Sequence, residues 1–200
     1  MSFPIYIVDD DQAVRDALCL LLETVGYTVA TYEGPEPFLS DLPDLAAGCI
    51  IMDIRMPMIS GLKVQEKLNS ANCNWPVVII SGHGDINACR KAFKNGAIDF
   101  LSKPLDEQDL IDAIQKGEEV LLTLTTREAE KSDTKDLLDK LTPREREVLE
   151  MVSRGWATKE IAGSLSISPR TIESHRAHIA EKLGTTSVAE MARMVIEAQE

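Results

Sequence analysis

The sequence lacks any long hydrophobic run. None of its apolar stretches approaches the roughly 20 residues that a membrane-spanning helix needs, so we expect no transmembrane segment and no membrane partner. Residues 1–8 lack a basic region followed by a long apolar stretch, and therefore do not resemble a signal peptide. These absences predict a protein that works in the cytoplasm.

Cysteines are few, and none has a partner at the spacing of a metal site. The four cysteines are Cys19, Cys49, Cys73 and Cys89, and no two of them form a CxxC pair. Cys19 and Cys49 lie inside apolar runs. We therefore predict reduced thiols in or near a core, which suits the cytoplasm.

An excess of positive charge is also missing. The chain has 33 acidic and 21 basic side chains and a net charge of −12, which argues against a protein that coats nucleic acid nonspecifically. The acidic excess lies mainly in residues 1–117, which carry 17 acidic and 9 basic side chains. Residues 141–200 carry 9 acidic and 8 basic side chains. Any DNA binding by the last third must therefore depend on a local patch.

Residues 1–120 alternate short apolar strands with amphipathic helices. Strands are predicted at 5–8, 28–32, 49–52, 77–80 and 100–101. Helices are predicted at 12–25, 36–40, 61–69, 86–95 and 106–120. This alternation predicts an α/β domain with a doubly wound, five-stranded parallel sheet covered on both faces.

The rest of the chain shows no strand pattern. Residues 121–140 are polar and mixed in charge, and we predict a linker that is partly helical. Residues 141–200 predict an all-α domain of four helices, the third ending before Gly184. Three of them are expected to start at Thr142-Pro143, Ser168-Pro169 and Ser187, and Thr158 is expected to cap the second. The predicted parts are thus 1–120, 121–140 and 141–200.

Polar and charged residues follow the predicted strands at one edge of the sheet. The first strand is followed by Asp9 and Asp10, the third by Asp53, the fourth by Ser81 and the fifth by Lys103. Because parallel α/β sheets bind ligands outside the carboxyl ends of their strands, we expect these side chains to share a pocket.

Crowded carboxylates repel one another unless a charge neutralises them. Mg²⁺ does so with one or two carboxylates, water and phosphate oxygens. A carboxylate in such a site can attack a phosphoryl group, which makes Asp53 a candidate acceptor, while Ser81 and Lys103 would bind the new phosphate oxygens. Taken singly, the acids also fit a helix N-cap or a turn; their joint placement favours phosphate chemistry.

Four motifs together resemble the receiver domain of two-component response regulators. They are Ile7-Val8-Asp9-Asp10-Asp11, Met52-Asp53-Ile54-Arg55-Met56-Pro57, Ser81-Gly82-His83-Gly84-Asp85 and Lys103-Pro104. The resemblance covers about the first 120 residues and implies a flavodoxin-like fold. It also implies that Asp10, Asp53 and the backbone carbonyl of Arg55 bind Mg²⁺ or Mn²⁺ directly, and that Asp9 acts through water.

The same resemblance implies a switch. Phe100 matches the family's switch aromatic, which turns inward when the hydroxyl of Ser81 moves to the phosphate. Arg55 and His83 would flank the phosphate and tune its lifetime.

The third helix of the last domain has two distinct faces. Ile172, Ile179 and Leu183 fall on one apolar stripe, whereas the opposite face carries short or polar residues. This pattern fits a recognition helix, but because amphipathic helices are common, periodicity alone favours an ordinary helical bundle. The segments that decide between them are 141–149, Lys159-Glu160-Ile161-Ala162, 168–175 and Lys182-Leu183-Gly184. They resemble the LuxR-type helix-turn-helix of response regulators of the NarL and FixJ kind.

That second resemblance supplies the candidate DNA contacts. Glu173, Ser174 and Ala177 match the family's major-groove positions. Candidates for contacts with phosphates or nearby bases are Arg170, Thr171, Arg176, His178 and Lys182.

Together the resemblances imply a regulator of transcription. A sensor histidine kinase would phosphorylate Asp53, and phosphorylation would promote a homodimer that binds promoter DNA and activates transcription with RNA polymerase. The chain would not be an enzyme, apart from its own phosphorylation and dephosphorylation. One alternative is an aspartyl phosphatase or phosphotransferase, but no second acid lies two residues after Asp53. Another is a DNA-binding protein with a vestigial receiver, although no expected pocket residue is missing.

Overall fold

A computed structural model describes residues 3–82 and 86–198 of the 200-residue chain. The chain divides into two compact units between Leu124 and Thr125. In the part of the chain that is described, no helix is long and apolar enough to cross a membrane.

The first unit is a five-stranded parallel sheet with the strand order β2-β1-β3-β4-β5. This is the flavodoxin-like order that the resemblance implied. The strands are β1 Ile5–Val8, β2 Val29–Tyr32, β3 Cys49–Asp53, β4 Val77–Ser81 and β5 Asp99–Ser102. The helices are α1 Gln12–Thr24, α2 Pro35–Asp41, α3 Gly61–Ser70, α4 Ile86–Lys94 and α5 Glu107–Asp139, with a short 3-10 helix at Leu42–Asp44.

Alternate strand residues pack into two cores, one on each face of the sheet, because successive side chains of a strand point in opposite directions. Tyr6 and Val8 lie in the core that contains α2, α3 and α4 residues. Ile5 and Ile7 lie in the core that contains α1 and α5 residues. The predicted doubly wound architecture is therefore confirmed.

The second unit is helical, with α6 Pro143–Ser153, α7 Thr158–Leu165, α8 Pro169–Leu183 and α9 Val188–Glu197. Its core joins residues from all four helices and also includes Leu138, at the end of α5, and Leu141. The stripe predicted for the third helix is confirmed, since Ile172, Ile179 and Leu183 are all buried.

Several predicted helix and strand bounds differ from the structure by a single residue, and three local predictions need a fuller correction. The helix predicted to end at 120 continues as α5 to Asp139, because residues 118–141 contain neither glycine nor proline to stop it. Thr158 is the first residue of α7 and not its cap; the cap is Ala157, whose backbone N–H donates to the side chain of Glu160 at 2.7 Å. The strand predicted at 100–101 extends over Asp99–Ser102.

Candidate functional site

The carboxyl edge of the sheet gathers the polar residues that follow the strands. Asp53 is the last residue of β3 and Ser81 the last of β4, and both are buried. Asp9 follows β1 and is fully buried, whereas the side chain of Lys103, after β5, is 23% exposed. The structure therefore brings together these strand-end residues, which the sequence predicted at one edge of the sheet.

Lys103 joins two carboxylates at this edge. Its ammonium group lies 2.6 Å from Asp9 Oδ2 and 2.7 Å from Asp53 Oδ1. Burial raises the pKa of Asp9 above its ordinary value, against the opposing effect of Lys103. Burial alone lowers the pKa of Lys103, but its hydrogen bonds to Asp53 and Asp9 outweigh that effect and raise it. Lys103 is thus a fixed positive charge beside the candidate acceptor, and its peptide bond to Pro104 is cis.

The turn after β3 holds the other side of Asp53. The backbone N–H of Arg55 donates to Asp53 Oδ2, and the side chain of Arg55 is exposed. The backbone N–H of Gly61 donates to the carbonyl of Ile54 at 3.0 Å, and the carbonyl of Asp53 occupies the position that a Cβ on residue 61 would take. Only glycine therefore lets this turn close against the strand end.

Asp9 is held by several hydrogen bonds, one of them from a residue that sequence reasoning missed. Its Oδ1 accepts from the backbone N–H of Asp11 at 2.9 Å, and its carbonyl accepts from Arg15 Nη1 at 2.7 Å. Arg15 lies six residues after Asp9, and no pattern in the sequence pointed to this contact. Asp10 is exposed beside Arg15, at the wall of a 440 Å³ cavity.

The oxygen atoms at this edge suit a hard cation. Among residues 3–82 and 86–198, no three acidic, histidine or cysteine side chains form a ready-made metal cluster. The donors expected from the sequence are the carboxylates of Asp10 and Asp53 and the backbone carbonyl of Arg55. They match the chemistry of Mg²⁺, which takes one or two carboxylates and fills its other positions with water and phosphate.

The candidate switch residue lies on the last strand. Phe100 pairs with Ile79 in the β4–β5 register, is partly buried and packs against the core on the side of α4. His83, the second residue expected to flank the phosphate, lies outside the described residues.

In the second unit, α8 presents the expected outward face. Arg170, Glu173, Ser174, Ala177 and His178 are exposed, and Arg176 is half-buried beside a 240 Å³ cavity. Thr171 takes part in the cap of its own helix, since its N–H donates to Ser168 Oγ at 3.1 Å. The helix ends at Gly184, which has a φ of 68°.

Lys182 differs from the other candidate DNA contacts. Its ammonium group lies 2.7 Å from Glu145 Oε2, within its own unit. Glu145 is buried, and its carboxylate also accepts from the backbone N–H and the hydroxyl of Thr142, at 2.8 and 3.0 Å. Sequence reasoning missed this pair because the two residues are 37 positions apart.

Comparisons with known families match both units. The response regulator receiver domain family matches residues 5–115, and the luxR family of bacterial regulatory proteins matches residues 139–195. Together they cover most of the chain.

Two curated relatives match this chain over nearly its whole length, across both units. The response regulator protein TmoT of Ectopseudomonas mendocina is 41% identical over 190 residues, which cover 95% of this chain and 86% of TmoT. The transcriptional regulatory protein FixJ of Bradyrhizobium diazoefficiens is 36% identical over 97% of this chain and 95% of its own length.

Two solved structures of response regulators extend the likeness to three dimensions. The response regulator StyR has a TM-score of 0.81 and 37% identity over 98% of this chain and 100% of its own. Full-length FixJ from B. japonicum has a TM-score of 0.61 and 35% identity over 100% of this chain and 98% of its own. The chain therefore belongs to the two-component response regulators that carry a LuxR-type helix-turn-helix, and it is a regulator of transcription rather than an enzyme.

Proposed function

We propose that a sensor histidine kinase phosphorylates this protein on Asp53, and that the phosphorylated form dimerises and binds promoter DNA. The observation that carries the proposal is the placement of Asp53: a buried strand-end carboxylate with Lys103 at 2.7 Å, and with Ser81 ending the adjacent strand. A buried ion pair of this kind is weak evidence for stability alone, which favours a functional reason for it.

The chemistry assigns each residue a task. A carboxylate oxygen of Asp53 forms a bond to phosphorus while the bond between phosphorus and the donor nitrogen breaks. Lys103 and Ser81 bind oxygens of the new phosphate, and the Ser81 movement lets Phe100 turn inward. Mg²⁺ or Mn²⁺, when bound by Asp10, Asp53 and the Arg55 carbonyl, with Asp9 acting through water, supplies positive charge that offsets the phosphoryl oxygens.

The proposed DNA-binding surface is the outward face of α8. Glu173, Ser174 and Ala177 would meet base edges, whereas Arg170, Thr171, Arg176 and His178 would meet phosphates or nearby bases. Residues 141–200 carry 8 basic and 9 acidic side chains, so one copy has little general attraction for DNA. Two copies on two half-sites gain from effective concentration, which is why dimerisation would control binding. Contact with RNA polymerase would then activate transcription.

The test compares the full-length wild type with Asp53→Asn. Both are sized and tested for DNA binding before and after addition of Mg²⁺ and beryllofluoride, a mimic of the aspartyl phosphate. The DNA probe is a duplex that the treated wild type selects from a random pool. We expect the wild type to become a dimer and to bind more tightly, and Asp53→Asn to respond to neither.

Two outcomes would contradict the proposal. If Asp53→Asn incorporated labelled phosphate from acetyl phosphate at the wild-type level, the acceptor would be a residue other than Asp53. Tight DNA binding by the untreated wild type, with no response to beryllofluoride, would instead indicate a vestigial receiver. Asp10→Asn supplies the matched control, because it should weaken Mg²⁺ binding while leaving Asp53 in place.

A further inference from the structure

The first turn of α6 contains a buried carboxylate with three donors. Glu145 Oε2 accepts from Lys182 Nζ at 2.7 Å, from the backbone N–H of Thr142 at 2.8 Å and from the Thr142 hydroxyl at 3.0 Å. The Glu145 side chain is 6% exposed and that of Lys182 is 33% exposed. If the ammonium group left for a DNA phosphate, a buried charge would lose its partner, which is strongly unfavourable.

The adjacent residue reaches the other helix of the helix-turn-helix. Arg144 donates through Nη2 to the carbonyl of Leu165, the last residue of α7, at 2.9 Å, and through Nη1 to Glu147 at 2.7 Å. Neighbouring side chains of α6 thus hold the C-terminal ends of both α7 and α8. Their shared position in one helical turn fixes the two ends relative to each other.

Lys182, where α8 is held by Glu145, lies far from the residues proposed to contact bases. A small rotation of α8 about this end therefore displaces those residues. Glu173 lies nine residues before Lys182 on α8, which corresponds to about 13 Å along a helix. A tilt of roughly 5° about the anchored end would therefore move Glu173 by about 1 Å. Hydrogen bonds to base edges weaken steeply over such displacements, since their distances fall within a few tenths of an ångström.

We propose that Glu145 and Arg144 are positioning residues for DNA recognition, and that Lys182 acts through Glu145 and not on a DNA phosphate. The inference rests on the proposed DNA binding by α8. It replaces the sequence-based expectation that Lys182 contacts DNA.

The test is a double-mutant cycle on DNA affinity. Wild type, Glu145→Gln, Lys182→Met and the double variant, all full-length and treated with Mg²⁺ and beryllofluoride, are titrated with the selected duplex and with a scrambled one over a range of salt. We expect each single variant to bind the selected duplex roughly 10-fold more weakly, and the double variant to be little worse than either, because paired residues are not additive. The preference for the selected over the scrambled duplex should fall in all three.

Salt dependence separates positioning from direct contact. Loss of a phosphate contact lowers the slope of log affinity against log salt by about one. We expect this change for Arg170→Met, which serves as the matched control, and no change for Lys182→Met. Arg144→Met is a second variant on a more exposed side chain, and should also weaken binding at unchanged slope if α6 positions the helices.

A direct DNA contact by Lys182 and a purely structural pair each predict a different experimental result. Additive effects of the two substitutions, or a slope lowered by Lys182→Met, would make Lys182 a direct contact and overturn the inference. A purely structural pair would lower the thermal midpoint while leaving the preference between duplexes unchanged in the folded protein, which would also overturn it. If the treated wild type selects no duplex at all, the proposed function itself fails.

Discussion

At the scale of single residues, Gly61 constrains the position of the Asp53 backbone. A Cβ at this position would meet the carbonyl of Asp53, and Met52 Cγ lies 3.1 Å from the same point. We expect Gly61→Ala to destabilise the receiver unit by about 1–3 kcal/mol, as overpacking usually does, and to slow phosphorylation by displacing Asp53. Urea unfolding and labelling with acetyl phosphate would measure the two effects.

The matched control is Gly163→Ala on α7, where a Cβ would meet nothing within 4 Å. Within a helix this change should stabilise by up to about 1 kcal/mol. The prediction would be contradicted if Gly61→Ala had the stability and the labelling rate of the wild type. The turn after β3 would then accommodate the added methyl group without loss of stability.

Residue types at strand ends were predictable, but their partners were not. Asp9, Asp53, Ser81 and Lys103 follow strands whose order fixes a common edge, so the sequence was sufficient to bring them together. The donation from Arg15 to the Asp9 carbonyl and the contact between Glu145 and Lys182 depend on side-chain directions across the tertiary structure. Spacing along the chain does not contain that information.

At the scale of elements, the link between α6 and α8 should respond to pH. The hydrogen bond from Lys182, followed by that from the Thr142 backbone, lowers the pKa of Glu145 from an ordinary 4.5 to about 2. A carboxylate with a lowered pKa stabilises the fold above its ordinary pKa, and this contribution is lost as the pH falls towards the lowered value. The stabilising effect of Glu145 should therefore be complete above pH 4.5 and vanish towards pH 2.

Comparison of wild type with Glu145→Gln isolates this effect. Both proteins would carry Trp75→Phe, so that the fluorescence of Trp156 reports on the helical unit alone. We expect the difference in their free energies of unfolding to be constant from pH 7 to about 4.5 and to shrink below it. A difference that stays constant down to pH 2 would show that Glu145 is not held as a carboxylate by Lys182.

Helix starts were more predictable than helix ends. Thr142, Ser168 and Ser187 each cap the helix that the sequence assigned to them, because a short polar side chain accepts from the first turn. The end of α5 was missed because its charged and polar residues are good helix formers without a terminating glycine or proline. Composition typical of a linker is thus compatible with a continuous helix.

At the scale of the whole molecule, the position of the unit boundary matters. Leu138 is 9% exposed and belongs to the core of the helical unit, although it lies before the predicted start of that domain at residue 141. We expect a fragment of residues 131–200 to be more stable than 141–200 by about 1.5–3 kcal/mol, the effect of burying one leucine. Urea unfolding followed by Trp156 fluorescence would measure this difference.

The control is Leu138→Ala in the longer fragment, which should lose most of the added stability. Equal stability of the two fragments would show that the helical unit begins at residue 141 and that Leu138 adds nothing to its core.

The helix α5 contributes to both hydrophobic cores, through Leu121 in the first unit and Leu138 in the second. Between them, residues 122–136 belong to neither core cluster and are mostly exposed. Isolated helices of about this length are only marginally stable in water, and most helical stability in proteins comes from the packing of an apolar face. Transient unwinding should therefore occur in the interior of α5 as well as at its ends, and would expose Arg127, Lys131 and Lys135 to trypsin while both cores remain folded.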